Sequence, residues 1–175
     1  APTRKMLADA LGFAEECYPA DAVTFSGEPL MPHVLAASEM VAQLDLLPEA
    51  VAATVLSDVP RCYPSDKGSW KTALTEVCGK TVAELTGGID HVQKLTHFAK
   101  VDSLATPEER AAQAETMRKM LLAMVSDIRV VLIKLALRTR TMQYLSGCPD
   151  SPQKRAVAKE TLDIFAPLAN RVGVW

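Results

Sequence analysis

Three groups of residues in this sequence could do chemistry. They are the histidines at 33, 91 and 97, an acid at the tip of an apolar helix, and a set of cations in a late helix. The acid is Asp58, in the stretch VLSDVP at 55–60. A buried helix needs no acid at its tip, so Asp58 reads as a metal ligand, a turn-former ahead of Pro60, or the remnant of a lapsed site. Taken alone, His33 beside Pro32 reads as a capping or packed histidine, and Asp58 as a turn residue. His91 and His97 flank an expected helix end and read as solvated side chains. Lys134, Arg138 and Arg140 share one helix and could meet phosphates through charge-assisted bonds, although a solvated face explains them more simply. There is no Walker-type phosphate loop, no GxSxG and no HExxH, so those hydrolase classes are not signalled.

The elements that must position these residues are helical. Apolar residues, mostly Ala, Leu and Val, make up 49% of the 175 residues, which suits close-packed helices in one domain with a sizeable core. Proline and cap residues mark the boundaries. A first amphipathic segment covers 4–18. Pro32 suits the first turn of a helix to about Leu44, and Pro48 opens one to Leu56. The stretch 57–68, rich in turn residues, is expected as a loop. A helix from about Ser69 to Val77 ends at Gly79, and another runs to about Leu95 with a possible bend at Gly87-Gly88. Residues 96–105 are expected as a mobile loop. Thr106-Pro107-Glu108-Glu109 is a capping box with proline at the first helical position. Asp127 leads a long helix to Tyr144, and Ser151-Pro152 starts the last helix, which Pro167 bends or ends. The expectation is an all-α bundle of about eight helices.

A formal charge of −2 without a long basic run argues against a nucleic-acid surface. No apolar stretch approaches the ~20 residues of a membrane span, and no signal-peptide pattern opens the chain. Cys17, Cys62, Cys78 and Cys148 are scattered, so they are expected as reduced thiols of a cytoplasmic protein.

Longer motifs are more specific. SGEPLMPH at 26–33 resembles the SGEPYxxHP signature of the hydrolase domain in the RelA/SpoT alarmone enzymes, and GKTVAEL at 79–85 resembles their GKSVAEL. MRKMLLAMVSDIRVVLIKLA at 117–136 and AKETLDIFAPLANRVG at 158–173 resemble their last two core helices. The resemblance spans nearly the whole chain in order. It implies an HD-type helical bundle at the N-terminus of a larger protein, followed by a GTP pyrophosphokinase (synthetase) domain.

Active members remove pyrophosphate from the ribose 3′ position of (p)ppGpp. They hold one Mn²⁺ with the histidine after SGEP, an adjacent His-Asp pair and the aspartate of KLADR. Carried over residue by residue, the resemblance keeps His33 and Asp58, but puts Ser57 in place of the paired histidine and Leu137 in place of the last aspartate. Serine is a poor ligand at neutral pH and leucine cannot coordinate. The acids of HDxxEDT become Arg61 and Cys62, and arginine cannot serve as a base. Basic residues that pack on guanine before SGEP become Thr24 and Phe25, and DRLHNMRTL becomes LRTRTMQYL at 137–145. Leu137, Thr141 and Tyr144 then share a helix face with Val130 and Ile133, a stripe typical of a packed core.

The resemblance therefore implies a degenerate pseudo-hydrolase with no functional catalytic residue, no metal and no cofactor. Asp58 is left as a remnant that caps or pairs locally with Arg61. The expected partner is the synthetase domain of the same chain. Two alternatives stay open. One is a weak hydrolase using His33, Asp58 and a third acid such as Asp127 or Glu39. The other is a metal-free guanine-nucleotide sensor using Lys134, Arg138 and Arg140.

Overall fold

The computed structural model describes residues 2–98, 106–124 and 127–173. Its helices are α1 (Pro2–Cys17), α2 (Leu30–Ala42), α3 (Pro48–Val55), α4 (Val59–Cys62), α5 (Trp70–Cys78), α6 (Lys80–Phe98), α7 (Pro107–Met124), α8 (Ile128–Ser146), α9 (Pro152–Glu160) and α10 (Ala166–Val172). A π turn at Thr161–Phe165 joins α9 to α10. With that run counted as one rod and the one-turn α4 set aside, eight helices are found among the described residues, as the periodicity predicts. Extended pairing among those residues is limited to a single bridge between Val23 and Pro29.

Local chemistry explains the boundaries. Ser69 and Ser151 each accept a backbone N–H of the first turn, at Thr72 and Lys154, and Asp127 accepts that of Arg129. Thr106 and Glu109 form a reciprocal box. The Thr106 N–H donates to Glu109 Oε2 at 2.8 Å, and the Glu109 N–H donates to Thr106 Oγ1 at 3.2 Å. Thr106→Ala should cost about 1 kcal/mol, read as a lower midpoint in thermal unfolding followed by circular dichroism. Pro167 has no N–H to give to the carbonyl of residue 163. The Arg118 guanidinium donates to that carbonyl instead, which ties α7 to the π turn beside the proline.

Helix α2 begins at Leu30, which puts Pro32 in its first turn as expected, where no intrahelical N–H bond is required. Two expectations need correction. The stretch 57–68 is not a plain loop. The Asp58 carbonyl accepts the N–H groups of Arg61 and Cys62, closing α4, and a 3₁₀ turn follows at Ser65–Lys67. Helix α6 runs on to Phe98, so residues 96–98 of the expected loop are helical; residues 99–105 lie outside the described ones.

Two apolar clusters form the core. One gathers α2, α3, α6, α7, α8 and α10 around Val41, Ile89, Ile133, Leu137 and Phe165. The other packs α1, α3, α5 and α6 around Leu56, Leu74 and Val82. Helix α8 rests on both α2 and α6, and Gly88 of α6 allows the second approach. A Cβ there would stand 2.8 Å from Val130 Cγ2. The start of α2, the end of α3 and the middle of α8 thereby bring His33, Asp58 and residues 134–141 into one region.

Candidate functional site

The turn carrying SGEP sets the first side chains. The Thr24 N–H donates to the Glu28 carbonyl at 2.8 Å, and the Leu30 N–H donates to Ala22 O at 2.9 Å. Gly27 takes φ +88°, a conformation that suits glycine. This tight turn points Glu28 inward, and its side chain is only 1% exposed. One carboxylate oxygen, Oε1, accepts from Arg140 Nε at 2.7 Å, and Arg140 Nη2 lies 2.6 Å from the same oxygen in the ion pair. The other, Oε2, lies 3.1 Å from His33 Nδ1. Burial holds His33 below its usual pKa of 6.5, against the opposing pull of Glu28, so near neutral pH the ring is uncharged and Nδ1–H donates. A carboxylate on Nδ1 is how metal-ligating histidines are commonly oriented, and it leaves Nε2 as the free donor atom. Glu28 is absent from the sequence-level site, and Arg140, expected as a possible phosphate contact, belongs to this buried triad.

The other positions do not complete a ligand set. Asp58 Oδ2 accepts from Arg61 Nη2 at 2.6 Å and Nε at 3.2 Å, the local pairing anticipated from SDVPR. The Asp58 N–H donates to the Tyr18 hydroxyl at 3.2 Å, and that hydroxyl donates to Val55 O at 2.6 Å. Ser57 is half-buried, its N–H bonded to Thr54 O. Leu137 is buried in the larger apolar cluster. Burial raises the Cys62 thiol above its usual pKa, which makes it a poor thiolate at neutral pH. Among the described residues, no three His, Cys, Asp or Glu side chains gather as a metal site. The donors present do not fit a Mn²⁺ ion. The candidate ligands are one histidine nitrogen and one arginine-paired carboxylate, with a buried leucine at the remaining position, and neither third acid considered joins them. Asp127 caps α8 and pairs with Arg129, and Glu39 is exposed. His91 is exposed, and the side chain of His97 lies outside the described residues.

The positions that the resemblance assigns to a guanine pocket make structural contacts. Thr24 Oγ1 shares a hydrogen bond with Ser26 Oγ at 2.8 Å. The Phe25 carbonyl accepts from Gln153 Nε2 at 2.7 Å. The Tyr144 hydroxyl reaches Gly27 O at 3.5 Å, and Thr141 is buried with its hydroxyl donating to Leu137 O.

The expected solvated face of Lys134, Arg138 and Arg140 is not solvated. Lys134 is buried, and its Nζ donates to Gln93 Oε1 at 2.5 Å. Arg138 Nη2 donates to Glu160 Oε1 at 2.6 Å, with the Arg138 side chain only 10% exposed. Desolvation, and then Arg138, bring the Lys134 pKa down from 10.5 to about 8. Between about pH 8 and 10.5 the unfolded chain holds the extra proton, so stability rises with pH across that window, by roughly 1.4 kcal/mol per unit at most. Below pH 8 the full cost of burying the charge remains. Raised Cys17 and Tyr18 groups titrate in the opposite sense at high pH. The expected result is therefore a difference: chemical denaturation should give a wild-type stability that gains on Lys134→Met as pH rises from 8 to 10.

Comparison with known proteins agrees with this architecture. The family model described as HD domain matches residues 10–175. A guanosine-3′,5′-bis(diphosphate) 3′-pyrophosphohydrolase of Haemophilus influenzae is 43% identical over 150 residues, covering 85% of this chain and 20% of that protein. The bifunctional (p)ppGpp synthase/hydrolase SpoT of Escherichia coli K12 is 40% identical over 150 residues, 85% of this chain and 19% of that protein. A GTP pyrophosphokinase of Myxococcus xanthus is 41% identical over 149 residues, 85% of this chain and 18% of that protein. The chain thus spans about a fifth of the length of these relatives. The solved structure described as "A metazoan ortholog of SpoT hydrolyzes ppGpp and plays a role in starvation responses" aligns at TM-score 0.56 and 18% identity over 97% of both chains, which establishes the shared fold. No described helix is long and apolar enough to cross a membrane. With an HD-domain match over nearly its full length and these relatives, the chain belongs to the RelA/SpoT family, of which it is an HD domain.

Proposed function

We propose that this chain is a catalytically inactive (p)ppGpp hydrolase-like domain of a RelA-type GTP pyrophosphokinase. In this reading it contributes no chemistry and biases an adjacent synthetase domain between active and inactive states. The named relatives include both 3′-pyrophosphohydrolases and a GTP pyrophosphokinase, so their names do not choose between the roles. The observation that carries the reading is Leu137, buried in the apolar core where the KLADR pattern would supply the last metal ligand. The paired Asp58 and Arg61, with Cys62 in place of an acid, point the same way.

A fold kept intact around a lapsed site keeps surfaces through which it can act on a neighbour. Removing residues 1–175 from the full-length enzyme tests this. The expected result is an altered basal or stimulated rate of pyrophosphate transfer from ATP to GTP. Equal rates with and without the domain would defeat the regulatory role.

A further inference from the structure

We infer that Lys134 and Arg138 form a metal-independent subsite for a phosphate-class oxyanion, framed by Phe25 and Phe165. The two cations stand one turn apart on the same face of α8, and each is at least nine-tenths buried. Arg138 uses Nη2 on Glu160, while its Nη1 is buried and has no hydrogen-bond partner. Its guanidinium carbon lies 4.2 Å from the centroid of the buried Phe165 ring and 5.5 Å from that of the half-exposed Phe25 ring.

Lys134 has a neutral amide as its acceptor, and no carboxylate within ion-pair distance among the described residues. The nearby charges leave one cation over. Arg61 offsets Asp58, Arg140 offsets Glu28 and Arg138 offsets Glu160, which leaves Lys134. Two buried like charges one turn apart, sharing one acid, are costly unless an anion joins them. An unpaired guanidinium N–H beside an ammonium suits a phosphoryl oxygen, which accepts from both kinds of donor. Arg140, committed to Glu28, takes no part. The inference concerns binding alone and stands whether or not a neighbouring domain is regulated.

The test is isothermal titration of the 175-residue chain with pyrophosphate, in chelator and at ionic strength matched with potassium chloride. Saturable binding is expected, weakened at least tenfold by Lys134→Met and by Arg138→Gln, and unchanged by Lys80→Met on the exposed surface of α6. Phe25→Asp places a carboxylate against the guanidinium at an exposed position that spares the core. It should weaken binding at least tenfold, and it decides the matter if the buried variants do not fold. A parallel titration with guanosine tetraphosphate identifies the source. Equal affinity would support a subsite for free pyrophosphate, and at least tenfold tighter binding one for a nucleotide's phosphate. No saturable binding by the wild type, or binding that survives both Lys134→Met and Phe25→Asp, would overturn the inference.

Discussion

Glu28→Gln should be among the most damaging single changes in this domain, lowering stability by about 3 kcal/mol, because removing one member of a buried ion pair strands its partners. Glu28 is fully buried, accepts from Arg140 Nε, is ion-paired with that guanidinium and is hydrogen-bonded to His33 Nδ1. A glutamine keeps the shape but loses the charge, and its amide presents donors toward Arg140. Arg140 is partly exposed and can turn toward water, which holds the cost near the lower end of the usual range. For a chain of this length the melting temperature should fall by roughly 6–12 °C. The companion variant Arg140→Met leaves Glu28 with only His33. The double variant should be less damaged than the sum of the two singles, with a coupling of at least about 1 kcal/mol. Additive losses, or a fall of only a degree or two for Glu28→Gln, would mean that the triad does not hold the turn to α8.

The second large effect concerns repair of the site proposed to have lapsed. Ser57→His with Leu137→Asp restores the ligand types of the resembled pattern, yet no Mn²⁺-dependent pyrophosphate release from (p)ppGpp is expected. Arg61 would still hold Asp58 and invert the charge where an acid should be, Cys62 would still replace the second acid, and Thr24 and Phe25 would still occupy the guanine side. Arg140 would also remain on Glu28, adding positive charge near any incoming cation. Leu137→Asp alone should cost about 3 kcal/mol, from lost apolar packing and an ill-solvated carboxylate, measurable by urea denaturation. Metal-dependent product release from the double variant would contradict the account.

The helical frame was legible because its boundaries are written in short-range chemistry. Ser69, Thr106-Pro107, Asp127 and Ser151-Pro152 act on residues within one turn, so their effect does not depend on the rest of the fold. Helix α4 was harder to read. Its single turn around Pro60 is held partly by Tyr18, whose hydroxyl accepts the Asp58 N–H from 40 residues away. The candidate site was legible where a motif carries it, at His33, Asp58, Arg61 and Leu137. Glu28 was not, since a lone acid in a turn has no periodicity to mark it as buried. Its partner Arg140 lies 112 residues along the chain. Lys134 and Arg138 read as a solvated face because charge predicts exposure. Burial came from the approach of α6 and α9, which no local pattern announces.

The central claim is that this HD domain no longer performs metal-dependent hydrolysis. Its most direct test is to incubate the purified chain with (p)ppGpp, with and without Mn²⁺, and to assay pyrophosphate in the same samples. The account predicts no product above the protein-free control at any Mn²⁺ concentration. Pyrophosphate release that depends on both protein and Mn²⁺ would show that His33 and Asp58 still belong to a working metal centre.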